Sequence, residues 1–138
     1  RNPTDAIAEC GAAGAVHPLN PHGLRIVMPE VSEISPAEFL RRWPDGSSDP
    51  DVVLLDVREP EELERASVQG TWHIPMRHVP SRLEELPRDK TVVVMCHLGG
   101  RSRRVAEYLV REGFARIYNL QGGIDAWSLE IDRSIPRY

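Results

Sequence analysis

Two uninterrupted apolar runs constrain the fold of this chain most strongly. They span residues 52–55, which read V-V-L-L, and residues 92–96, which read V-V-V-M-C. Runs that are apolar at nearly every position, rather than at alternate ones, are typical of parallel strands covered on both faces. Shorter apolar runs at 72–74 and 116–120 alternate with helical patterns, so the sequence predicts an α/β domain with a mostly parallel sheet.

Local signals place the helices between these strands. Ser35 followed by Pro36 and Glu38 is a helix start, with an N-cap serine and a proline in the first turn, and this helix should run through Trp43. Further helices are predicted over 59–65 and 79–86, from a cap at Ser102 to Gly113, and around Ile124 and Trp127.

The length of 138 residues suits one domain with one hydrophobic core. Residues 1–30 are rich in alanine, glycine and proline, and small residues bury little surface. We therefore expect residues 1–30 to be an irregular N-terminal extension, with a short helix near 5–10 and a short apolar run at 24–28. Residues 31–138 form the predicted domain.

Composition excludes several classes of function. No apolar run approaches the ~20 residues of a membrane-spanning helix, and the net charge of −4 argues against nucleic-acid binding. Two cysteines are too few for a disulfide scaffold, and the histidines lack metal-ligand spacing, so neither a metal nor a cofactor is predicted. The expectation is a cytoplasmic protein with no membrane or nucleic-acid partner, either monomeric or homodimeric.

Cys96 has the setting of a reactive thiol. It ends a buried strand and precedes a glycine-containing turn into a helix, where backbone N–H groups and the helix dipole favour a thiolate. Arg101, Arg103 and Arg104 add positive charge, which suggests an anion-binding loop. The alternative is a cysteine that merely packs in the core. Cys10 has no comparable context and is expected to be an incidental thiol.

Asp56 and Arg58 follow the neighbouring strand and point to the same face. Such a pair is either a rim ion pair or a brace for an adjacent loop. Because the two strand ends are expected to lie side by side, we favour the brace.

Four segments, taken together, identify a family. They read D-V-R-E-P-E-E-L at 56–63, G-T-W-H-I-P at 70–75, C-H-L-G-G-R-S at 96–102 and N-L-Q-G-G-I-D-A-W at 119–127. Their order and separations resemble those of single-domain rhodaneses, which are persulfide-forming sulfurtransferases. Thr71 and His73 depart from the alanine and asparagine usual in that family, as does the stretch 67–69. The resemblance implies a three-layer α/β/α fold with about five strands.

The resemblance also implies the chemistry. Cys96 would be the catalytic nucleophile, taking a sulfane sulfur from thiosulfate or a similar donor and passing it to cyanide or a thiol. Asp56 and Arg58 would support the loop, whereas His97 is expected to be exposed to water rather than catalytic. A sulfur-relay protein as a further partner is left open. The residues expected to bind the donor are His97, Leu98, Gly99, Gly100, Arg101 and Ser102.

Two alternatives stay open at this point. Phosphatases and arsenate reductases also place a cysteine, a loop of amides and an arginine in this order, but their loop is one residue longer than the four residues between Cys96 and Arg101. A non-catalytic rhodanese-like regulatory module is the other alternative, although such modules usually lack the loop cysteine.

Overall fold

The computed structural model of the chain describes residues 21–23 and 31–138. Most of the expected extension, with Cys10, the predicted short helix and the run at 24–28, lies outside the described residues. The described part forms one sheet in which every neighbouring pair of strands is parallel, in the order β1-β5-β4-β2-β3. The strands are β1 Ser32–Ile34, β2 Val52–Asp56, β3 Trp72–His73, β4 Thr91–Met95 and β5 Ile117–Leu120.

Helices cover both faces of this sheet, which confirms the predicted three-layer α/β arrangement. The α-helices are α1 Pro36–Arg42, α2 Pro60–Arg65, α3 Gly100–Arg111 and α4 Gly123–Glu130. Alternate residues of β2 and β4 enter two separate core clusters, one with α3 and the other with α1 and α4. Both strands are buried along their whole length, as their continuous apolar sequence requires.

The structure departs from the local expectations at the start of α3 and at strand β1. Helix α1 begins as predicted, with the Glu38 amide donating to Ser35 Oγ at 3.1 Å. Ser102, by contrast, does not cap α3: the cap is Gly99, and the helix begins at Gly100. The short helix predicted over 79–86 is present, as the 3₁₀ helix Pro80–Glu85. The first described strand, β1, was not predicted because three residues carry no periodic pattern.

The carboxyl ends of β2 and β4 lie side by side, with Asp56 opposite Met95. This pairing brings Cys96 and Arg58, which follow the two strands, to the same edge of the sheet, where parallel α/β sheets place their sites. No helix in the described ranges is long and apolar enough to cross a membrane.

Candidate active site

Cys96 lies directly after β4 and only 1% of it is exposed. The loop that follows turns back on its sulfur, and the Gly99 amide donates to Cys96 Sγ at 3.1 Å. Gly99 has a φ of +112°, a backbone conformation that side chains other than glycine rarely adopt. The loop therefore points a backbone dipole at the sulfur and stabilises negative charge there.

Backbone amides at the start of α4 hold the beginning of this loop. The Ile124 amide donates to the Cys96 carbonyl at 2.9 Å, and the Asp125 amide donates to the His97 carbonyl at 3.2 Å. A Cβ atom at Gly123 would lie 2.4 Å from the His97 oxygen and 2.5 Å from the Cys96 oxygen. Only a glycine lets the two backbones approach this closely.

Asn119 holds the other side of the loop. It is a buried polar residue on β5, and its Nδ2 donates to the Gly99 carbonyl at 3.1 Å and to Glu33. Its Oδ1 accepts a hydrogen bond from Ser102 Oγ at 2.5 Å. Asn119 begins the motif at 119–127, but the sequence indicates no role for it. The available signal was a polar side chain inside an otherwise apolar strand.

Arg101 faces a carboxylate in this structure. Its Nη1 and Nη2 donate to Glu62 Oε2 and Oε1 at 2.7 and 2.9 Å. The hydrogen bonds from Arg101 are the largest cause that lowers the pKa of Glu62 to about 2, against the opposing effect of burial. The same bonds raise the pKa of Arg101, and the nearby Cys96 adds to the rise. Glu62 on α2 thus partly neutralises the positive charge of Arg101 beside the loop.

Asp56 and Arg58 form a buried ion pair, with Nη2 to Oδ2 at 2.7 Å. Burial opposes the charge of Arg58, but hydrogen bonds to Asp56 and Tyr138 outweigh it and raise its pKa. Arg58 also donates to the Ala66 carbonyl at 2.9 Å and to Tyr138 Oη at 2.8 Å. These contacts join the end of β2 to α2 and to the chain near residue 138.

His97 is partly exposed to water. Its ring stacks on the ring of Tyr138, with centroids 3.9 Å apart and planes 9° apart. Its Nε2 is buried, and no group of the described residues hydrogen-bonds to it. Tyr138 lies far from the loop in sequence, so no local signal indicated this contact.

The remaining predicted donor-binding residues differ in exposure. Leu98 is 63% exposed, and a Cβ atom at Gly100 would meet nothing within 4 Å. The Ser102 hydroxyl donates to Asn119. Arg103 pairs with Glu33 at 2.5 Å instead of facing the loop. Among residues 21–23 and 31–138, no cluster of three or more histidine, cysteine or acidic side chains could hold a metal ion.

Comparison with known proteins identifies the family of the chain. The family model described as "Rhodanese-like domain" matches residues 36–130. A protein of Allochromatium vinosum named "Sulfurtransferase" is 37% identical over 98 residues, which is 71% of this chain and 89% of that protein. The chain belongs to the rhodanese-like domain family.

A solved structure and a longer plant protein are also similar to this chain. The crystal structure of a rhodanese-related protein from Thermoplasma volcanium superposes with a TM-score of 0.64 at 31% identity, covering 72% of this chain and 93% of that one. The "Rhodanese-like/PpiC domain-containing protein 12, chloroplastic" of Arabidopsis thaliana is 39% identical over 112 residues. The match covers 78% of this chain but only 38% of the plant protein's length.

Proposed function

We propose that this protein is a sulfurtransferase that carries a sulfane sulfur as a persulfide on Cys96. The observation that carries the proposal is the Gly99 amide donating to Cys96 Sγ, at the end of a buried strand and in the first residues of a loop that leads to Arg101. The rhodanese-like family and its sulfurtransferase-named relative support the reaction class. Thiosulfate, cyanide and a cytoplasmic location are parts of the proposal.

In the first step, the Cys96 thiolate attacks the outer sulfur of the donor. An Sγ–S bond forms while the sulfur–sulfur bond of thiosulfate breaks, and both electrons of that bond leave with sulfite. The product is a Cys96–S–S⁻ persulfide. We expect the amides of the loop 97–102 to stabilise its negative charge, as an oxyanion hole stabilises oxygen. Arg101 would attract the anionic donor and stabilise the departing sulfite.

In the second step, an acceptor attacks the outer sulfur of the persulfide. With cyanide, a carbon–sulfur bond forms, thiocyanate leaves, and the electron pair of the Sγ–S bond returns to Cys96 as a thiolate. A thiol acceptor gives a new persulfide in the same way. Because sulfur enters and leaves with balanced electron pairs, the cycle needs no external oxidant, metal or cofactor.

Loop size favours this reaction over phosphate chemistry. Only four residues separate Cys96 from Arg101, and Asn119 and α4 hold the loop against the sheet. A ring of amides this short encloses one sulfur more readily than a tetrahedral phosphate. A phosphatase or an arsenate reductase of the same fold is therefore the second candidate.

Intact-mass spectrometry after treatment with thiosulfate tests the proposal. We expect the protein to gain the mass of one sulfur atom and to release one equivalent of sulfite, and then to lose the sulfur to cyanide as thiocyanate. Cys96→Ser should gain nothing. Cys10→Ser is the matched control because it removes the other thiol of the chain, and it should still gain one sulfur.

Two results would contradict the proposal. Release of phosphate from an aryl phosphate, without any gain of sulfur, would indicate a phosphatase. No gain of sulfur from thiosulfate, mercaptopyruvate or glutathione persulfide, and no phosphate release, would indicate a non-catalytic module.

A further inference from the structure

Residues 131–138, here called the tail segment, return along α4 to the active-site loop. Ser128 Oγ donates to the Ile135 carbonyl at 2.7 Å, and Arg137 pairs with Asp125 at 2.9 Å. Ile135 is buried in the core cluster of α1 and α4. Because later tail residues contact earlier helix residues, the segment runs antiparallel to α4 and delivers Tyr138 to the helix start. The family match ends at residue 130, so it assigns no role to this segment.

Tyr138 contacts the site through both its ring and its hydroxyl. The ring stacks on His97, the residue after the nucleophile. The hydroxyl donates to Glu62 Oε1 at 2.8 Å and accepts from Arg58 Nη1 at 2.8 Å. Tyr138 therefore joins the buried Asp56–Arg58 pair to the carboxylate that holds Arg101.

Glu62 is saturated with donors. Besides the two bonds from Arg101, its Oε1 accepts from Tyr138 and its Oε2 accepts from the Glu59 amide at 3.0 Å. Each additional donor neutralises part of the carboxylate charge. Less of the negative charge of Glu62 is then left to offset the charge of Arg101. More of the positive potential of Arg101 therefore acts on the loop that follows Cys96.

We propose that Tyr138 is a positioning residue that, by hydrogen-bonding Glu62, keeps Arg101 available to a small anionic sulfur donor at the 97–101 loop. This inference deepens the proposed function and rests on it for the identity of the donor. The tail segment places the ring of Tyr138 against the ring of His97, and this stacking fixes the position of the Tyr138 hydroxyl. The ligand class is a compact sulfur oxyanion such as thiosulfate.

Tyr138→Phe tests the role of the hydroxyl because it keeps the ring and its stack. We expect the KM for thiosulfate to rise about three- to tenfold while kcat stays within about twofold, since binding of the anion is what weakens. Tyr118→Phe is the matched control: it removes a phenol hydroxyl that accepts from Arg42 at 2.9 Å outside the site. It should leave both constants unchanged.

Alkylation of Cys96 supplies a readout that needs no sulfur transfer. Iodoacetate is an anion and iodoacetamide is neutral, and both react with the same sulfur, so the ratio of their rates reports the positive potential at the site. Peptide mass spectrometry follows Cys96 alone. We expect Tyr138→Phe to lower the iodoacetate-to-iodoacetamide ratio about three- to tenfold, and Tyr118→Phe to leave it unchanged.

These readouts separate the two proposals. If the wild-type protein gains no sulfur but the alkylation ratio still falls in Tyr138→Phe, the proposed function fails and the role of Tyr138 stands. An unchanged or increased ratio in a folded Tyr138→Phe protein would overturn that role. If Tyr138→Phe does not fold, Ser128→Ala loosens the tail segment without changing a charge. The ratio should then fall in Ser128→Ala, and an unchanged ratio would overturn the role equally.

Discussion

Arg58 donates to both carboxylate oxygens of Asp56, through Nε to Oδ1 at 2.9 Å and through Nη2 to Oδ2 at 2.7 Å. Neither side chain is exposed. The Arg58 amide also donates to Oδ1 at 3.1 Å, which turns the chain sharply after β2. The desolvation of both charges offsets much of their attraction, so this pair specifies geometry more than it adds stability.

Removing the negative charge of Asp56 alone should destabilise the folded protein. Asp56→Asn keeps the shape of the side chain but leaves the buried Arg58 guanidinium without a negative partner. We expect the free energy of unfolding in urea to fall by about 3–5 kcal/mol. Glu85→Gln breaks an exposed pair with Arg82 and should cause no measurable change, since water screens such pairs. If Asp56→Asn lowers the free energy of unfolding by less than about 1 kcal/mol, Arg58 is not left buried and charged without a partner, which would contradict the prediction.

The Glu62–Arg101 pair should make stability depend on pH. The pKa of Glu62 in the folded protein is about 2, below its ordinary value of 4.5, so folding favours the carboxylate. The stabilisation is complete above about pH 4.5 and disappears as the pH falls towards 2.

Glu62→Gln measures this dependence. We expect it to lower the free energy of unfolding by about 1–3 kcal/mol at pH 7, a value reduced for the partial exposure of Arg101. The difference from wild type should shrink steadily as urea titrations are repeated at lower pH. A difference that is the same at pH 7 and pH 3 would show that the charge of Glu62 is not the cause.

Gly123→Ala should displace the active-site loop. Its φ is +60°, and the new methyl group would meet the carbonyl oxygens of Cys96 and His97. We expect persulfide formation to slow roughly tenfold or more and stability to fall by about 1–3 kcal/mol. Gly100→Ala is the control for stability, because a methyl group there meets nothing within 4 Å. A Gly123→Ala protein with normal persulfide formation would mean that the loop tolerates the displacement.

Asn119→Ala should loosen the loop from the β5 side. It removes the donor to the Gly99 carbonyl and leaves the buried Ser102 hydroxyl without its acceptor. We expect persulfide formation to slow about tenfold and stability to fall by about 1–3 kcal/mol. Ser102→Ala removes only the second of these contacts and should slow the reaction much less. Equal rates in both variants would indicate that the contact with Gly99 does not position the loop.

The layered fold could be predicted because the apolar pattern of each strand or helix indicates which of its faces are buried. Strands β2 and β4 are apolar except for Asp56 at the end of β2 and Thr91 at the start of β4. Such a run is typical of a strand with both faces covered. Helix α1 carries its own start signal at Ser35, and the helix begins there. The short helix predicted over 79–86 forms as the 3₁₀ helix Pro80–Glu85. Its type was left open because a short run of polar and apolar residues suits either kind of helix.

The active-site loop was only partly predictable. Cys96 stood out because it lies between a buried strand and a loop that contains two glycines and an arginine, Gly99, Gly100 and Arg101. Ser102 was misread as a cap because it has the right residue type near the helix start. Its hydroxyl instead bonds Asn119, and the left-handed backbone of Gly99 starts the helix. Asn119 lies on β5, far from Ser102 in sequence, and no local sequence pattern indicates such a contact.

The sequence by itself predicted four of the five described strands, singled out Cys96 as a candidate and indicated the family to which the chain belongs. Each of these depends on neighbouring residues or on short motifs in order. The tertiary structure alone decided what surrounds that cysteine. Arg101 bonds Glu62 across 39 positions, and Tyr138 bonds Glu62 across 76. Such contacts depend on how α2, α3 and the tail segment dock on the sheet. Hydrogen bonds are directional and short, so the partner of each charged group is settled only when those elements are packed.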